Sequence, residues 1–463
     1  MSHQRGLERL AANDLAGARE MFLAAIAINP DLAAPYLGLL EIAAKGWDYP
    51  AQIALGRRAV ALAPGEADAL VALSAALWRA QRYGESEATS QRALALCPNH
   101  QLAMINMGLA CYSTGRADEA EEWFQRALAL APGDLGIRNN LAHTVLKGGD
   151  LSRGLKLLQC RWEYLIKNPI WQCGAPRWAG EPAATLLLHH EQGFGDTIQF
   201  ARFIPAIKTL ARAERLIFAC PATLHRLLSS CCGIDELIDD YEPTGIVRAA
   251  SSANAHSPLL DAVALLNPEY AEGGIAVKTP RREIITARPY LKSPFEIPDI
   301  VHGGGEQLAI GLCWGTAKGV ERGLQRVIPL GELIELAAIP GVTLWSLQVG
   351  AYAGDLNQGA ANCVVWPIAG VKDFADTAAI LTRLDLVISA DTAVAHLAGA
   401  MGRPVIMLNP IAPCWRWARG SAPWYPTMRI VDQTDPDNWR EPIARIADAV
   451  AAMAPDRHTR KAA

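Results

Sequence analysis

The residues of this chain whose types and spacing suit chemistry begin with the stretch His189-His190-Glu191-Gln192-Gly193-Phe194-Gly195-Asp196-Thr197-Ile198-Gln199-Phe200-Ala201-Arg202. An apolar run from Thr185 to Leu188 leads into it, two glycines break the chain, and Ile198, Phe200, Ala201, Ile204 and Ile207 then offer a buried helical face. The pattern predicts strand, tight turn, helix. Gly193 and Gly195 permit positive φ and let another molecule approach the backbone. Asp196 falls at the helix start, where free N–H groups and the helix dipole favour a carboxylate. A charged side chain is then held at the carboxyl end of a strand, which is where open α/β sheets bind ligands. The same residues also read as a turn with an N-cap and nothing more.

A second stretch, Leu386-Val387-Ile388-Ser389-Ala390-Asp391-Thr392-Ala393-Val394-Ala395-His396-Leu397-Ala398-Gly399-Ala400-Met401-Gly402, repeats the logic. It predicts a buried strand, Asp391-Thr392 at the cap, and a helix of small residues that packs closely on its sheet. Free N–H groups near Ala393 and Val394 form a ready site for a phosphate or diphosphate. An ordinary capped helix is the plainer alternative.

Two kinds of element position these stretches. Prolines recur at Pro30, Pro64, Pro98 and Pro132, an interval of 34 each time, with Ala25, Ala59, Ala93 and Ala127 five residues before them. Twelve before stand Ala18, Gln52, Ser86 and Ala120; eight before, Phe22 and Phe124 are large while Gly56 and Ser90 are not. Small residues let two helices approach, and a proline ends the second one. The period resembles the tetratricopeptide repeat, a helical hairpin whose stacked copies form a curved groove for peptides or partner proteins. The clearest copy runs from Gln101 to Pro132, with Gly108 at the family's glycine position. Asp134 to about Leu165 reads as one more helical pair turning at Gly148-Gly149-Asp150, which closes the array at residue 166. Residues 167–183, punctuated by Pro169, Pro176, Gly180 and Pro182, form a junction. The array also reads as a mere spacer or dimerisation surface.

From residue 184 strands alternate with helices in two blocks, 184–300 and 301–463, which argues for two doubly wound α/β domains with a substrate cleft between them. The expected elements include a strand at Thr185–His190, a helix at Thr197–Arg212 kinked by Pro205, strands at Arg215–Cys220 and Ile234–Asp239, a loop at Ala249–His256, and a crossing linker at Arg281–Gly305. The second block is read as strands at Leu308–Trp314, Val342–Leu347, Cys363–Trp366, Leu386–Ser389 and Pro404–Leu408, with a closing helix at Arg440–Met453. The fold class is therefore an all-α repeat array followed by α/β.

Composition narrows the class. The 463 residues carry an unremarkable net charge of −4 and no long basic stripe that would suggest nucleic acid, so no nucleic-acid partner is expected. The first residues lack a basic-then-apolar secretory pattern, and no run of about 18 apolar residues suits a bilayer. Ten cysteines stand without Cys-x-x-Cys spacing, which fits reduced thiols better than disulfides or zinc. The expectation is a cytoplasmic protein, with peripheral association at the inner face of a membrane open to it.

Two separated motifs now agree. Gln192-Gly193-Phe194-Gly195-Asp196-Thr197, with Pro205 nine residues on, resembles the amino-terminal signature of the heptosyltransferase family of glycosyltransferases, and Ser389 to Leu397 resembles its carboxyl-terminal signature. Between them lie Trp314-Gly315-Thr316-Ala317-Lys318, Arg322, and Arg326-Val327-Ile328-Pro329-Leu330; Trp415-Arg416-Trp417 and Trp424-Tyr425-Pro426-Thr427-Met428-Arg429 resemble the tail of repeat-bearing relatives. The resemblance runs from about Thr185 to the end. It implies a glycosyltransferase-B fold, two Rossmann-like domains with the nucleotide-sugar donor in the second and the acceptor toward the first. By position Asp196 matches the family's proposed general base, flanked by Gln192, Gly193 and Gly195 on the acceptor side. Arg326, with Arg322 and Thr316 nearby, matches the contact to donor phosphate, where a guanidinium offsets charge on the leaving group. Asp391, Thr392 and Ala393 match the diphosphate loop. His396 one turn on reads as ligand-reaching or as packed; Gln348 is a candidate for the nucleoside and Asp376 a weaker one. No metal and no cofactor beyond the donor substrate is expected, since the only Asp-x-Asp run, Asp435-Pro436-Asp437, lies in a tail turn.

Two departures stand out: Cys414, where repeat-bearing relatives often carry an acidic residue, and His256 to Asp261, which resembles the acceptor-domain loop only loosely. The implied activity is transfer of a sugar, with inversion, to a protein presented by the repeats or to a surface glycan such as a lipopolysaccharide core. The rival expectation is a scaffold whose repeats bind a partner and whose second half is inactive.

Overall fold

The computed structural model describes residues 2–165, 174–271, 274–277, 283–286, 289–296, 307–316, 325–357, 365–368, 370–417, 423–436 and 438–454. The chain divides into two compact units, Met1–Gly148 and Gly149–Ala463.

The first unit is a tetratricopeptide-repeat array of α-helices α1 Ser2–Ala11, α2 Leu15–Ile28, α3 Ala33–Lys45, α4 Tyr49–Leu62, α5 Ala67–Arg79, α6 Tyr83–Leu96, α7 Gln101–Ser113, α8 Ala117–Leu130 and α9 Leu135–Gly148. Helices α2, α4, α6 and α8 each stop two residues before the periodic proline. The small residues do the work expected of them: Ala18, Ser86, Ala120, Ala59, Ala93 and Ala127 are all fully buried, as is Gln52, the one larger residue in the series. Glycines seat the large residues. A methyl on Gly108 would lie 2.8 Å from the Phe124 ring, and Gly6 and Gly38 make similar room for Phe22. A second period of 34 appears in the backbone. Asn13, Trp47, Gln81, Gly115 and Gly149 all have positive φ. The next N–H bonds back five residues, Asp14 to Arg9, Asp48 to Ala43, Arg82 to Leu77 and Arg116 to Cys111, at 2.9–3.1 Å. That is a helix C-terminal turn closed by its own carbonyl. Asp14 and Asp48 then cap the following helices by accepting from Gly17 and Ala51 N–H.

The helical pair after the array divides. Its first helix, Leu135–Gly148, goes with the first unit, while Leu151–Leu158 and the residues after it lie in the second.

The second unit holds two parallel sheets. The first has strands β1 Thr185–His189, β2 Arg215–Cys220, β3 Glu236–Asp239 and β4 Ala255–Pro258 in the order β3-β2-β1-β4. An antiparallel sheet of β5 Pro268–Ala271, β6 Gly274–Val277 and β7 Glu283–Thr286 follows. The second parallel sheet has β8 Leu308–Cys313, β9 Val342–Ser346, β10 Val365–Pro367, β11 Leu386–Ser389, β12 Val405–Asn409 and β13 Met428–Asp432, in the order β10-β9-β8-β11-β12-β13. That is the doubly wound order, with the chain reversing direction across the sheet between β8 and β11 and, in the first sheet, between β1 and β4. The strands read as continuous apolar runs because both faces are covered: Leu187, Ile217 and Ala219 centre one core, and Ile310, Leu312, Leu344, Ile388 and Leu408 the other.

Several expected elements differ. Ala249–His256 is not a loop: it lies across the end of a helix, Pro243–Ser252, and the start of β4. Strand β4 reads Ala-His-Ser-Pro, with no apolar run to betray it, yet all four residues are buried beside β1. Part of the expected linker is β7, paired antiparallel with β6; residues 297–305 of that expectation lie outside the described residues. The helix expected from Thr197 starts at Phe194 and is broken into Phe194–Phe200, a 3-10 turn, and Ile204–Leu210, with Pro205 in the first turn of the last piece, where a missing N–H costs nothing.

Candidate active site

Both switch points place chain turns at the carboxyl ends of strands, and the two signature stretches lie there. After β1 the chain turns at Gln192, whose φ is 62°, while Gly193 is extended at φ −99°. The left-handed residue of this turn is thus Gln192, not either glycine. Gly195 is required for a different reason. A methyl there would lie 2.7 Å from His396 Cδ2, so only a hydrogen lets the helix from the first sheet meet the helix Ala393–Ala400 from the second.

Asp196 sits in the first turn of its helix and reaches back, its Oδ2 accepting from Gly193 N–H at 3.1 Å. Its Oδ1 is ion-paired with Arg416, which stands on the 3-10 turn Trp415–Trp417 of the second lobe. The Arg416 Nε–H donates to Gln199 Oε1 at 2.9 Å, one turn further along the same helix, and the guanidinium lies 4.5 Å from the Trp415 ring. Asp196 and Gln199, three apart on one helix face, therefore make a two-point rest for Arg416. Sequence reasoning marked Trp415-Arg416-Trp417 as a tail motif and missed this role, for which the only signal was the bare arginine.

Across the joint, β11 ends at Ser389 and Thr392 is the N-cap of Ala393–Ala400 with extended φ and ψ and no side-chain cap bond. Its hydroxyl is instead 2.9 Å from Ser389 Oγ. The first N–H groups of that helix, Ala393 among them, are left uncapped by Thr392. Asp391 is buried, with Oδ2 3.2 Å from Arg326 Nη1 and Oδ1 3.8 Å from His396 Nε2. His396 is buried against Gly195, the Trp417 ring at 5.2 Å, and Tyr425, whose hydroxyl lies 2.9 Å from its Nδ1. Burial lowers its pKa to about 4, with the Asp391 carboxylate pulling the other way, so it is neutral at neutral pH.

The remaining predicted residues scatter. Thr316 follows β8 and is half-buried at the same carboxyl edge. Arg322 lies outside the described residues. Gln348, just after β9, grips the turn after β8: its Oε1 accepts from Trp314 and Gly315 N–H at 3.0 and 2.8 Å, and its Nε2 donates to the Gly315 and Val349 carbonyls at 3.2 and 3.0 Å. Both amide donors are used, so this glutamine locks a loop and has no donor left for a nucleoside. Asp376 points elsewhere again. With Asp373 it grips Arg226 of the first lobe, at 2.6 Å from Asp376 and at 2.6 and 2.8 Å from Asp373. Phe194 against Phe374, ring centres 5.1 Å apart, lies at the same seam.

Two further groups were not anticipated. Arg202 is buried between the lobes, donating to the Trp424 carbonyl at 2.7 Å and the Tyr290 hydroxyl at 3.1 Å, with its guanidinium over the Tyr290 and Tyr425 rings. Glu191 is buried in a double hydrogen bond with Arg161, both at 2.7 Å, and accepts from Leu260 N–H at 2.8 Å. Arg161 and Arg177 also pair with Asp261. The loosely matching stretch from His256 to Asp261 is thus β4 and a helix start, with Asp261 spent on arginines. Among the described residues no group of three or more His, Cys, Asp or Glu is placed to hold a metal ion, and no helix is long and apolar enough to cross a membrane.

Two doubly wound sheets meeting through the helix starts at their switch points, after a repeat array, define a repeat-bearing protein with two Rossmann-like lobes. The comparisons with known proteins agree with that class. Residues 65–133 match the tetratricopeptide repeat model, and residues 348–433 match that of glycosyltransferase family 9 (heptosyltransferase). Protein FlbA of Caulobacter vibrioides is 24% identical over 344 residues, covering 68% of this chain and 54% of that protein. The chain spans about half the length of the curated relative it matches. Among solved structures, MamA protein is similar at 20% identity and TM-score 0.31, over 36% of this chain and 91% of that one. A thermophilic tetratricopeptide-repeat protein of Thermus thermophilus is similar at 23% identity and TM-score 0.32, over 36% of this chain and 90% of that one.

Proposed function

We propose that the second unit transfers a sugar from a nucleotide-sugar donor to a hydroxyl of a protein or surface-glycan acceptor. The observation that carries this reading is the pairing of an uncapped helix start, Ala393–Ala400, with Arg326 beside Asp391 at the switch point of the second sheet. Backbone N–H groups and a guanidinium suit a diphosphate and stabilise the charge that grows on it as the sugar leaves. Thr316 borders the same edge. On this reading Asp196, held toward Gly193 N–H on the other lobe, takes the proton of the acceptor hydroxyl. Arg416 must then release it, because a carboxylate covered by a guanidinium is a poor base. Activation of the acceptor by such a base is a single displacement and gives the inverted anomer; a retained anomer in the product would remove Asp196 from this role. Charge stabilisation by Arg326 and the helix start replaces a metal, so turnover is expected to survive a chelator. The repeat array supplies the surface for a protein partner or acceptor.

The test is binding and turnover in two variants. Asp196→Asn is expected to bind nucleoside diphosphate no more weakly than the wild type and to lose transfer by about a hundredfold or more, the usual scale for a lost general base. Arg326→Ala is expected to weaken nucleotide binding about tenfold or more, as for a charged hydrogen bond of roughly 1.5–3 kcal/mol. Full turnover by Asp196→Asn, or unchanged affinity in Arg326→Ala, sinks the corresponding assignment. A second reading, a partner-binding scaffold with an inactive second half, is favoured by one observation: Asp196 and Asp391 are each already neutralised by an arginine. Absence of binding to any nucleoside diphosphate would select it.

A further inference from the structure

The neutralised Asp196 carries more than a doubt about the base. Asp196 and Arg416 come from different lobes, 220 residues apart, and both side chains are largely buried, at 17% and 11% exposure. The carboxylate does not depend on the arginine for its orientation, since Gly193 N–H holds its other oxygen. Arg416 donates to Asp196, to Gln199 and, at 3.9 Å, to Cys414 Sγ. Gln199, fully buried, gives its oxygen to Arg416, and its Nε2 has no hydrogen-bond partner among the described residues. Trp417, the next residue to Arg416 and also buried, has an indole Nε1–H without a partner among the described residues. Trp417 lies against His396, the ring that abuts Gly195, next to Asp196. An orphaned buried donor is costly, and here one belongs to the glutamine that holds the cation and the other to the residue next to the cation in sequence. An anionic oxygen group satisfies such donors; a further cation or a neutral apolar group does not.

We propose that Arg416 is a positioning residue which exchanges Asp196 for a phosphate oxygen of the donor, with Gln199 and Trp417 supplying the neighbouring donors. This rests on the donor-site reading above and adds to it an order of events. Without donor, the guanidinium covers the carboxylate and the base is idle. A diphosphate competes for the guanidinium, and its arrival uncovers Asp196 on the side where the acceptor must come. Donor binding is thereby coupled to the appearance of the base.

The exchange has an unusual signature. If Asp196 and the diphosphate compete for one arginine, removing the carboxylate must tighten nucleotide binding, whereas a residue outside the nucleotide site would leave it unchanged. The experiment is calorimetric titration of the full chain, its fold checked by circular dichroism, with adenosine, guanosine, uridine and cytidine diphosphates. Asp196→Asn, which keeps the side-chain shape, is expected to bind the preferred nucleotide at least about fivefold more tightly, the lower end of ordinary coupling between sites. Arg416→Gln is expected to bind it at least about fivefold more weakly, and the double variant to show no gain over Arg416→Gln alone. Arg416→Lys, which keeps the charge and loses the two-point rest, serves if the glutamine variant fails to fold, and is expected to lose part of the coupling. Wild-type binding with unchanged affinity in Asp196→Asn overturns the exchange and leaves the donor site standing. No binding of any of the four nucleotides by the wild-type chain overturns both.

Discussion

At the scale of single residues, the second unit encloses buried histidines that cannot change charge without cost. His396 and His189 are both fully enclosed, and burial lowers them to about 4 and about 3, with the neighbouring His256 adding to the second. In the unfolded chain both return to about 6.5. The unfolded state therefore binds more protons than the folded one below that value. Stability from these groups is complete above about pH 6.5 and is lost as the pH falls toward the folded values. At pH 5 each histidine alone removes about 2 kcal/mol. Urea unfolding of the second unit at pH 7.5 and pH 5.0 measures this, and His396→Gln is expected to reduce the difference by about that amount. An unchanged difference would assign the acid sensitivity to other groups. His190 adds to the same trend, lowered to about 4 by burial with its Nδ1 on the Thr197 hydroxyl.

At the scale of elements, the repeat turn shows how a backbone requirement can hide beneath a readable period. Each hairpin needs a residue at positive φ, and the chain meets that need with Asn13, Trp47, Gln81, Gly115 and Gly149. Only the last two are glycines, so the period of 34 at this position is invisible in the residue types. Gly115 has φ 81° and open space where a methyl would go. Gly115→Ala is therefore expected to destabilise the array by about 1 kcal/mol through backbone strain alone. Gly133→Ala, with equal space and no positive φ, is the control and is expected to change stability little. Equal urea midpoints for the two variants would refute the strain argument. Strand β4 is the opposite case. Ala255-His256-Ser257-Pro258 has no strand pattern of its own, and its burial comes from lying beside β1. Tertiary pairing overrides local preference there, as it commonly does in strands.

At the scale of the whole molecule, two compact units share one chain. Scanning calorimetry is expected to show two transitions, and a bound nucleoside diphosphate to raise only that of the second unit, by mass action on the folded form. A shift in both, or a single transition, would show that the units unfold together. The array stabilises itself by nearest-neighbour stacking and the second unit by two sheets and their shared seam, so different contacts set the two midpoints.

What the sequence determined by itself is what depends on near neighbours. The proline and alanine period specifies the array because each helical pair packs on the next at fixed separation. The strand-turn-helix stretches at Asp196 and Asp391 are legible because an apolar run, a cap and a helical face lie within about twenty residues of one another. What only the tertiary structure decided is the partner of each polar group. Arg416 closes on Asp196 over 220 positions, Arg226 takes Asp376 over 150, and Gln348 spends its amide on the turn of Trp314 and Gly315. Gly195 is a glycine because of His396, a residue far along the chain on the other lobe. No local pattern encodes such pairs. They follow from which sheet edges and helix starts the finished topology brings within about 3 Å, where a charge or an amide finds its partner.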